Sequence, residues 1–278
     1  MISSLQTGER ASAFHDGSTA QQFLFARQLA AYHLASEFLG SADTVYDLAS
    51  GTGYGTFHLA QCDRTVVGVD CSAQAIAESR RQWQRANLSF VQQDVTELPV
   101  PARSNAAVCS FQTIEHIQDD SAFVSVLARL AGTSGVCLVS TPNRKLRLRD
   151  GQKPWNRFHV REYDAETLEE LLRQSFHDVR IMGIQALPQW EEYERQRIQQ
   201  ARFIADLDPL RLRHRIPVGV SAGVRSLIQI VQRTCKQPTV AVSETEISPD
   251  DFFLTDDCRR CMDLFAVCRS AKFAAGDA

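Results

Sequence analysis

Three kinds of side chain in this sequence have the types and spacing to work together: a glycine turn, carboxylates that follow it at intervals, and two histidines further along. The turn is YDLASGTGYG (46–55), with Gly51, Gly53 and Gly55 on alternate positions. Glycine reaches backbone angles closed to other residues and has no Cβ to keep a ligand away. Asp70 ends the apolar run TVVGVD (65–70), and Asp94 ends LSFVQQD (88–94). An acid after the second strand of an open α/β sheet is placed to accept both hydroxyls of a ribose. An acid after the third is placed to accept from the exocyclic amine of an adenine, with Val95 beside the ring. Taken singly, each carboxylate is more often a surface cap or turn residue. A glycine turn and two acids at three successive strand ends point to a bound adenosine. His116 and His159 are the side chains nearby that titrate close to neutral pH.

The elements that must carry these residues alternate from residue 44 onward. TVYDLA (44–49), TVVGVD, LSFVQQD, NAAVCSF (105–111), GVCLVST (135–141) and DVRIMGI (178–184) read as strands. Between them lie helices: one after Gly55 with Phe57, Leu59 and Ala60, one capped by Ser72, one capped near Asp119 and stopped at Gly132, and one starting near Asp164. Ser and Asp at these positions are favoured N-caps. Strands separated by helices make βαβ units, so the fold class is α/β: a Rossmann-like, doubly wound, mostly parallel sheet. DLFAVCRS (263–270) reads as a last strand. The chain thereby divides into an N-terminal loop and helix (1–43), a binding core (44–185), a helical insertion (186–260) and a final strand and tail (261–278).

Composition narrows the classes. At 278 residues, 44% hydrophobic and net charge −3, the chain can bury a full core and is not a polybasic nucleic-acid binder. It has no apolar run long enough to span a bilayer, and MISSLQTGER has neither the basic nor the apolar region of a signal peptide. A cytoplasmic protein is expected. Of its eight cysteines, Cys258 and Cys261 form a single CxxC without the second pair usual for structural zinc, so reduced, structural thiols are expected.

On these residues the chain resembles class I S-adenosylmethionine-dependent methyltransferases. The acid-then-glycines motif matches Asp47 to Gly55, the ribose acid Asp70, and the adenine acid Asp94. SFQTIEHI (110–117) and STPNR (140–144) resemble the segments after strands four and five, and DLFAVCRS the antiparallel seventh strand. The resemblance implies a seven-stranded sheet and S-adenosyl-L-methionine lined by Ala49, Gly51, Gly53, Asp70, Cys71, Asp94, Val95 and Gln112. TGER (7–10), TIEHI, STPNR and FHVREY (158–163) further resemble a bacterial subgroup associated with glycan and natural-product biosynthesis. The His and Arg-Tyr pair that this subgroup often carries before the sheet are missing from STAQQFLFA (18–26). Either Arg10 or Arg27 then takes the cofactor carboxylate, or the acceptor differs from that of the subgroup.

Methyl transfer to a hydroxyl needs alignment and a base. His116, after strand four, is the first candidate and His159 the second. The competing readings are a histidine that closes its loop on a backbone carbonyl and one packed between Phe158 and Val160. Glu115 reads as a cap or substrate contact, and with no further ligands at a defined spacing no metal is expected. The basic connection holding Arg144, Lys145, Arg147, Arg149, Lys153 and Arg157, with RLRHR (211–215), reads as a solvated loop or as a grip on an anionic acceptor. The insertion, with Trp190, Tyr193, Arg197 and Ile204 near one helical face, reads as a lid, a dimer surface or packing. The expected activity is O-methylation of a small molecule or sugar precursor. Alternatives are a secondary-metabolite N- or C-methyltransferase, a non-catalytic S-adenosylmethionine binder, and an NAD-dependent oxidoreductase. GxGxG spacing and the lack of a substrate-domain pattern after strand six weigh against the last.

Overall fold

The computed structural model describes residues 18–61, 63–98, 106–206 and 246–272. Its centre is one eight-stranded sheet in the order β3-β2-β1-β4-β5-β8-β6-β7. The strands are β1 (Thr44–Leu48), β2 (Thr65–Asp70), β3 (Leu88–Gln92), β4 (Ala107–Phe111), β5 (Val136–Pro142), β6 (Phe176–Ala186), β7 (Phe252–Thr255) and β8 (Asp263–Ala271). β1 to β5 are mutually parallel. β8 lies antiparallel between β5 and β6. The chain moves outward through β2 and β3 on one side of β1, then returns to start β4 on the other. That reversal leaves a crevice at the carboxyl ends of β1 and β4, where ligands bind in such sheets.

β4 and β5 are buried along their whole length, as parallel strands covered on both faces must be. Successive β4 side chains serve opposite layers. Cys109 and Phe111 join a core with α1 (Thr19–Ala35), α2 (Tyr54–Leu59) and α7 (Pro188–Asp206), whereas Val108 joins one with α4 (Asp120–Ala131) and α6 (Ala165–Leu172). The helices begin where short polar side chains can receive orphan backbone N–H groups. Ser72 Oγ accepts from Ala75 N ahead of α3 (Ala73–Gln82), and Asp119 Oδ1 accepts from Ala122 N ahead of α4. Asp164 and Thr167 form a reciprocal capping box on α6. Gly132, at φ +66°, ends α4.

One expectation is corrected: among the described residues the sheet has eight strands, not seven. β7 is only four residues long and pairs antiparallel with the last part of β6. It escaped a reading by pattern because FFLT is too short to show a period and sits within a stretch read as helical. The expected helix in that stretch is α7, whose Trp190 and Tyr193 pack on Phe23 of α1 at ring-centroid distances of 6.0 and 4.9 Å. Residues 207–245, with RLRHR and Cys235, and residues 1–17, with Arg10, lie outside the described residues. Among the described residues no helix is long and apolar enough to cross a membrane.

Candidate functional site

The glycine turn leaves β1 through backbone angles of the left-handed region: Ala49 at φ +63°, Gly51 at +56° and Gly53 at +80°. A Cβ built on Gly51 would meet nothing within 4 Å, so its backbone faces open space at the mouth of the crevice. Gly55 is glycine for a different reason. A Cβ there would sit 2.1 Å from the Tyr32 ring of α1. Across the crevice, Gln112 at the end of β4 also has positive φ, +53°. Two non-glycine residues in this conformation, at the ends of the two adjacent central strands, each cost about 1–2 kcal/mol. Such strain collects at functional sites.

Asp70 ties the turn to β2. Its Oδ2 accepts from Gly51 N at 2.9 Å and its Oδ1 from Ser72 N at 2.8 Å. These bonds place the Asp70 carboxylate beside the Gly51 backbone. Three further side chains brace the turn. Ser79 Oγ donates to Gly51 O at 3.3 Å and Trp83 Nε1 donates to Thr52 O at 2.7 Å. Asp47, fully buried beneath, accepts from Thr56 Oγ1 at 2.6 Å and Tyr32 OH at 3.3 Å. Burial pushes its carboxyl up to about 7, against the opposing effect of those two hydrogen bonds.

Asp94 is exposed, and its Oδ1 accepts from the backbone and hydroxyl of Thr96. Val95 is buried in the same core as Leu48 and Val69. Cys71 is exposed beside Asp70. Gln112 donates through Nε2 to Asp263 Oδ1 at 3.2 Å. Arg27 grips the same carboxylate in a fork, Nε to Oδ2 at 2.7 Å and Nη2 to Oδ1 at 2.5 Å, and reaches Glu194 of α7 at 3.0 Å. Burial would raise Glu194, but Arg197 and Arg27 outweigh it and hold its carboxyl down at about 2. Arg27 thus clamps α1 and α7 onto β8.

The histidines come together at the loops after β4 and β5. His116 Nδ1 lies 3.1 Å from Phe158 O, and His159 Nδ1 lies 2.8 Å from Glu162 Oε1. A carbonyl only accepts, so the His116 proton is on Nδ1. The two rings meet edge to face, centroids 4.8 Å apart. Glu115 is fully buried beside them, its Oε2 accepting from Thr141 Oγ1 at 2.9 Å and its carbonyl from Val160 N at 2.8 Å.

Residues 45–135 match the family model described as a methyltransferase domain. A Mycolicibacterium smegmatis protein named a probable S-adenosylmethionine-dependent methyltransferase is 34% identical over 173 residues, 62% of this chain and 65% of its own length. A Mycobacterium tuberculosis protein of the same description is 35% identical over 179 residues, 64% of this chain and 63% of its own. Over its central strands the chain is thus similar to a methyltransferase domain and to relatives named as probable S-adenosylmethionine-dependent methyltransferases. The match spans just under two thirds of those relatives' lengths. Solved structures carry the same fold. A Thermotoga maritima S-adenosylmethionine-dependent methyltransferase aligns with TM-score 0.55 at 13% identity, covering 90% of this chain and 94% of that one. A Haemonchus contortus phosphoethanolamine N-methyltransferase, solved with S-adenosylhomocysteine, aligns with TM-score 0.51 at 16% identity, covering 87% of this chain and 52% of that one.

The residues of the glycine turn leave room for an adenosine: the space facing Gly51 is open, and Asp70 Oδ2 lies beside it. The side chains bracing that turn, Tyr32, Ser79 and Trp83, are absent from the sequence reading. Glu162 escaped as well, its signal being its place three residues after His159.

The basic connection is largely neutralised within the chain. Arg144 pairs with Asp164 at 3.5 Å, Lys145 with Glu166 at 2.7 Å, Arg147 with Glu162 at 3.2 Å and Arg149 with Asp206 at 3.1 Å. Arg157 lies over the Phe158 ring at 5.3 Å. The CxxC thiols belong to packing: Asn143 Nδ2 donates to Cys258 O and Cys261 O at 2.8 and 3.0 Å, and burial pushes the Cys261 thiol up to about 12.

Proposed function

We propose that this chain transfers the methyl group of S-adenosylmethionine to an oxygen of a small molecule or sugar precursor. The observation that carries this is the Gly51–Asp70 hydrogen bond at the carboxyl ends of β1 and β2, beside the crevice where the strand order reverses. Gly51 and Gly53 would lie against the cofactor, with Ala49 and Gln112 flanking it from the two central strands. Asp70 would accept the ribose hydroxyls. Cys71, Asp94 and Val95 are assigned to the adenosine end by their places after β2 and β3. The bound cofactor supplies an electrophilic methyl carbon on a sulfonium, whose charge disappears as the methyl leaves.

The chain then has to hold the acceptor in line and take its proton. Alignment supplies much of the acceleration. The proton is assigned to the cluster of His116 and His159 after β4 and β5. With a proton on Nδ1 facing Phe158 O, the basic nitrogen of His116 is Nε2, and Glu162 orients His159. The internal ion pairs of the connection favour a neutral acceptor over an anionic one.

Calorimetric titration with S-adenosylmethionine, S-adenosylhomocysteine and NAD in parallel tests the reading. Binding of the first two without the third supports it; binding of NAD alone overturns it.

A further inference from the structure

Glu115, His116 and His159 form, among the described residues, the group of His, Cys, Asp and Glu side chains with the makings of a metal site. One ligand atom from each lies within 4.8 Å of the others. The sequence offers no ligand spacing here, because the third member arrives only when the loop after β5 folds back over the short helical turn Ile114–His116. The backbone makes that closure firm: Glu115 O accepts from Val160 N at 2.8 Å, next to His159.

What distinguishes this group from a packed cluster is its surroundings. Each histidine is anchored through Nδ1, His116 to the Phe158 carbonyl and His159 to the Glu162 carboxylate. Glu162 is itself held by Arg147 at 3.2 Å. Metal-ligating histidines are oriented in this manner, the nitrogen remote from the metal donating to a carbonyl or carboxylate. The carboxylate of Glu115 is oriented too, by Thr141 Oγ1 at 2.9 Å. With Nδ1 of both rings so engaged, Nε2 of each is the nitrogen that a metal would take.

We infer that Glu115, His116 and His159 bind a divalent first-row transition-metal ion at the mouth of the crevice. Two imidazoles and one carboxylate suit such ions better than magnesium or calcium, which take oxygen ligands almost throughout. Bonds of about 2.1 Å place opposed ligand atoms no more than roughly 4.2 Å apart, so the cluster contracts slightly on loading. Three protein ligands leave positions for oxygens of an acceptor. With the ion bound, Nε2 of His116 is a ligand, so the acceptor's proton passes to solvent and not to His116 as it would without metal. That use rests on the methyl-transfer reading, since a bound cation acidifies a hydroxyl it coordinates; metal binding itself does not.

The test uses the full chain, stripped with a chelator and dialysed. Co2+ is titrated by visible absorption, and Zn2+, Mn2+ and Mg2+ by calorimetry, for the unaltered protein and for His116→Ala, Glu115→Gln and His159→Ala. Expected is one Co2+ per chain with d–d bands of a nitrogen- and oxygen-ligated site, Zn2+ or Mn2+ bound far more tightly than Mg2+, and at least tenfold weaker binding in each folded variant. Melting temperature identifies variants that have unfolded, and His116, only half-buried, is the substitution expected to leave the fold intact. No stoichiometric binding by the unaltered protein, or binding unchanged in His116→Ala, overturns the inference. S-adenosylmethionine is titrated in the same preparations. Metal binding without cofactor binding would sink the methyl-transfer reading and leave the metal site standing; the reverse would do the opposite.

Discussion

His116 and His159 follow different strands, yet their rings meet edge to face with centroids 4.8 Å apart. Each is fixed through Nδ1 to an acceptor on the same connection, Phe158 O or Glu162 Oε1. The pair is a single unit, and its partners bear on it directly.

Glu162 is the partner whose loss should be felt most. Its side chain and that of His159 are fully buried, and Arg147 pairs with it while only 6% exposed. Replacing Glu162 with Gln takes a buried carboxylate from Arg147 and His159, and breaking such a buried pair typically costs about 3–5 kcal/mol. Urea unfolding should show a loss of about that size, and a loss under 1 kcal/mol would mean that solvent reaches the pair.

Asp70 holds the turn and is assigned to the ribose. Asp70→Ala should weaken S-adenosylmethionine binding by roughly 1.5–3 kcal/mol, the range for a hydrogen bond to a charged group. Because Gly51 N and Ser72 N also lose their acceptor, the variant should melt at a lower temperature as well. Calorimetry on Asp70→Asn, which keeps an acceptor oxygen, separates the effects. Unchanged affinity in both variants rules out the ribose assignment.

Arg27 tests an assignment that the structure recasts. As a clamp between Asp263 and Glu194, its replacement by Met should cost about 3–5 kcal/mol of stability by taking the counter-charge from the buried Asp263 carboxylate, Glu194 keeping Arg197. Cofactor affinity in the surviving folded protein should change little. A selective loss of affinity at unchanged stability would return Arg27 to the cofactor carboxylate.

Asp47 makes stability depend on pH. Its folded value near 7 lies above the unfolded 3.8, so between those limits the folded state holds more protons. Its contribution is therefore complete below about pH 4 and is lost as pH rises through 7, with a slope of at most ~1.4 kcal/mol per pH unit. The difference in unfolding free energy between the parent and Asp47→Asn should change across pH 4–7 and level off above it. A difference that is flat across that range would place the Asp47 carboxyl near its ordinary value.

Gly55 is where α1 approaches most closely. Gly55→Ala forces a methyl to within 2.1 Å of the Tyr32 ring, an overpacking that costs about 1–3 kcal/mol. Thermal melts of Gly55→Ala should show it, and the double variant with Tyr32→Leu should recover part of the loss.

Much of this molecule was legible without a structure because its signals are local. β2 runs over the residues expected of it, α3 and α4 start after Ser72 and Asp119, and α4 stops at Gly132. A β-branched run, a capping side chain and a left-handed glycine act within a few residues, so a one-dimensional pattern records them. The glycines and Asp70 were visible for the same reason: each sits at the end of a recognisable strand. β7 was not, being four residues whose strand character comes from the edge of β6.

The amino-acid sequence by itself determined the alternating α/β order, the turn at Gly51–Gly55 and the acid that closes on it. Only the tertiary structure decided what the charged and titratable side chains do, because their partners lie far along the chain. Arg27 became a clamp when α7 and β8 brought Glu194 and Asp263 to it, and four cations of the basic connection found partners in Asp164, Glu166, Glu162 and Asp206. Glu115, His116 and His159 became one cluster when the connection after β5 closed over the turn after β4. Coulomb attraction and hydrogen bonding depend on distance in space, and spacing along a chain does not report it until the sheet has formed.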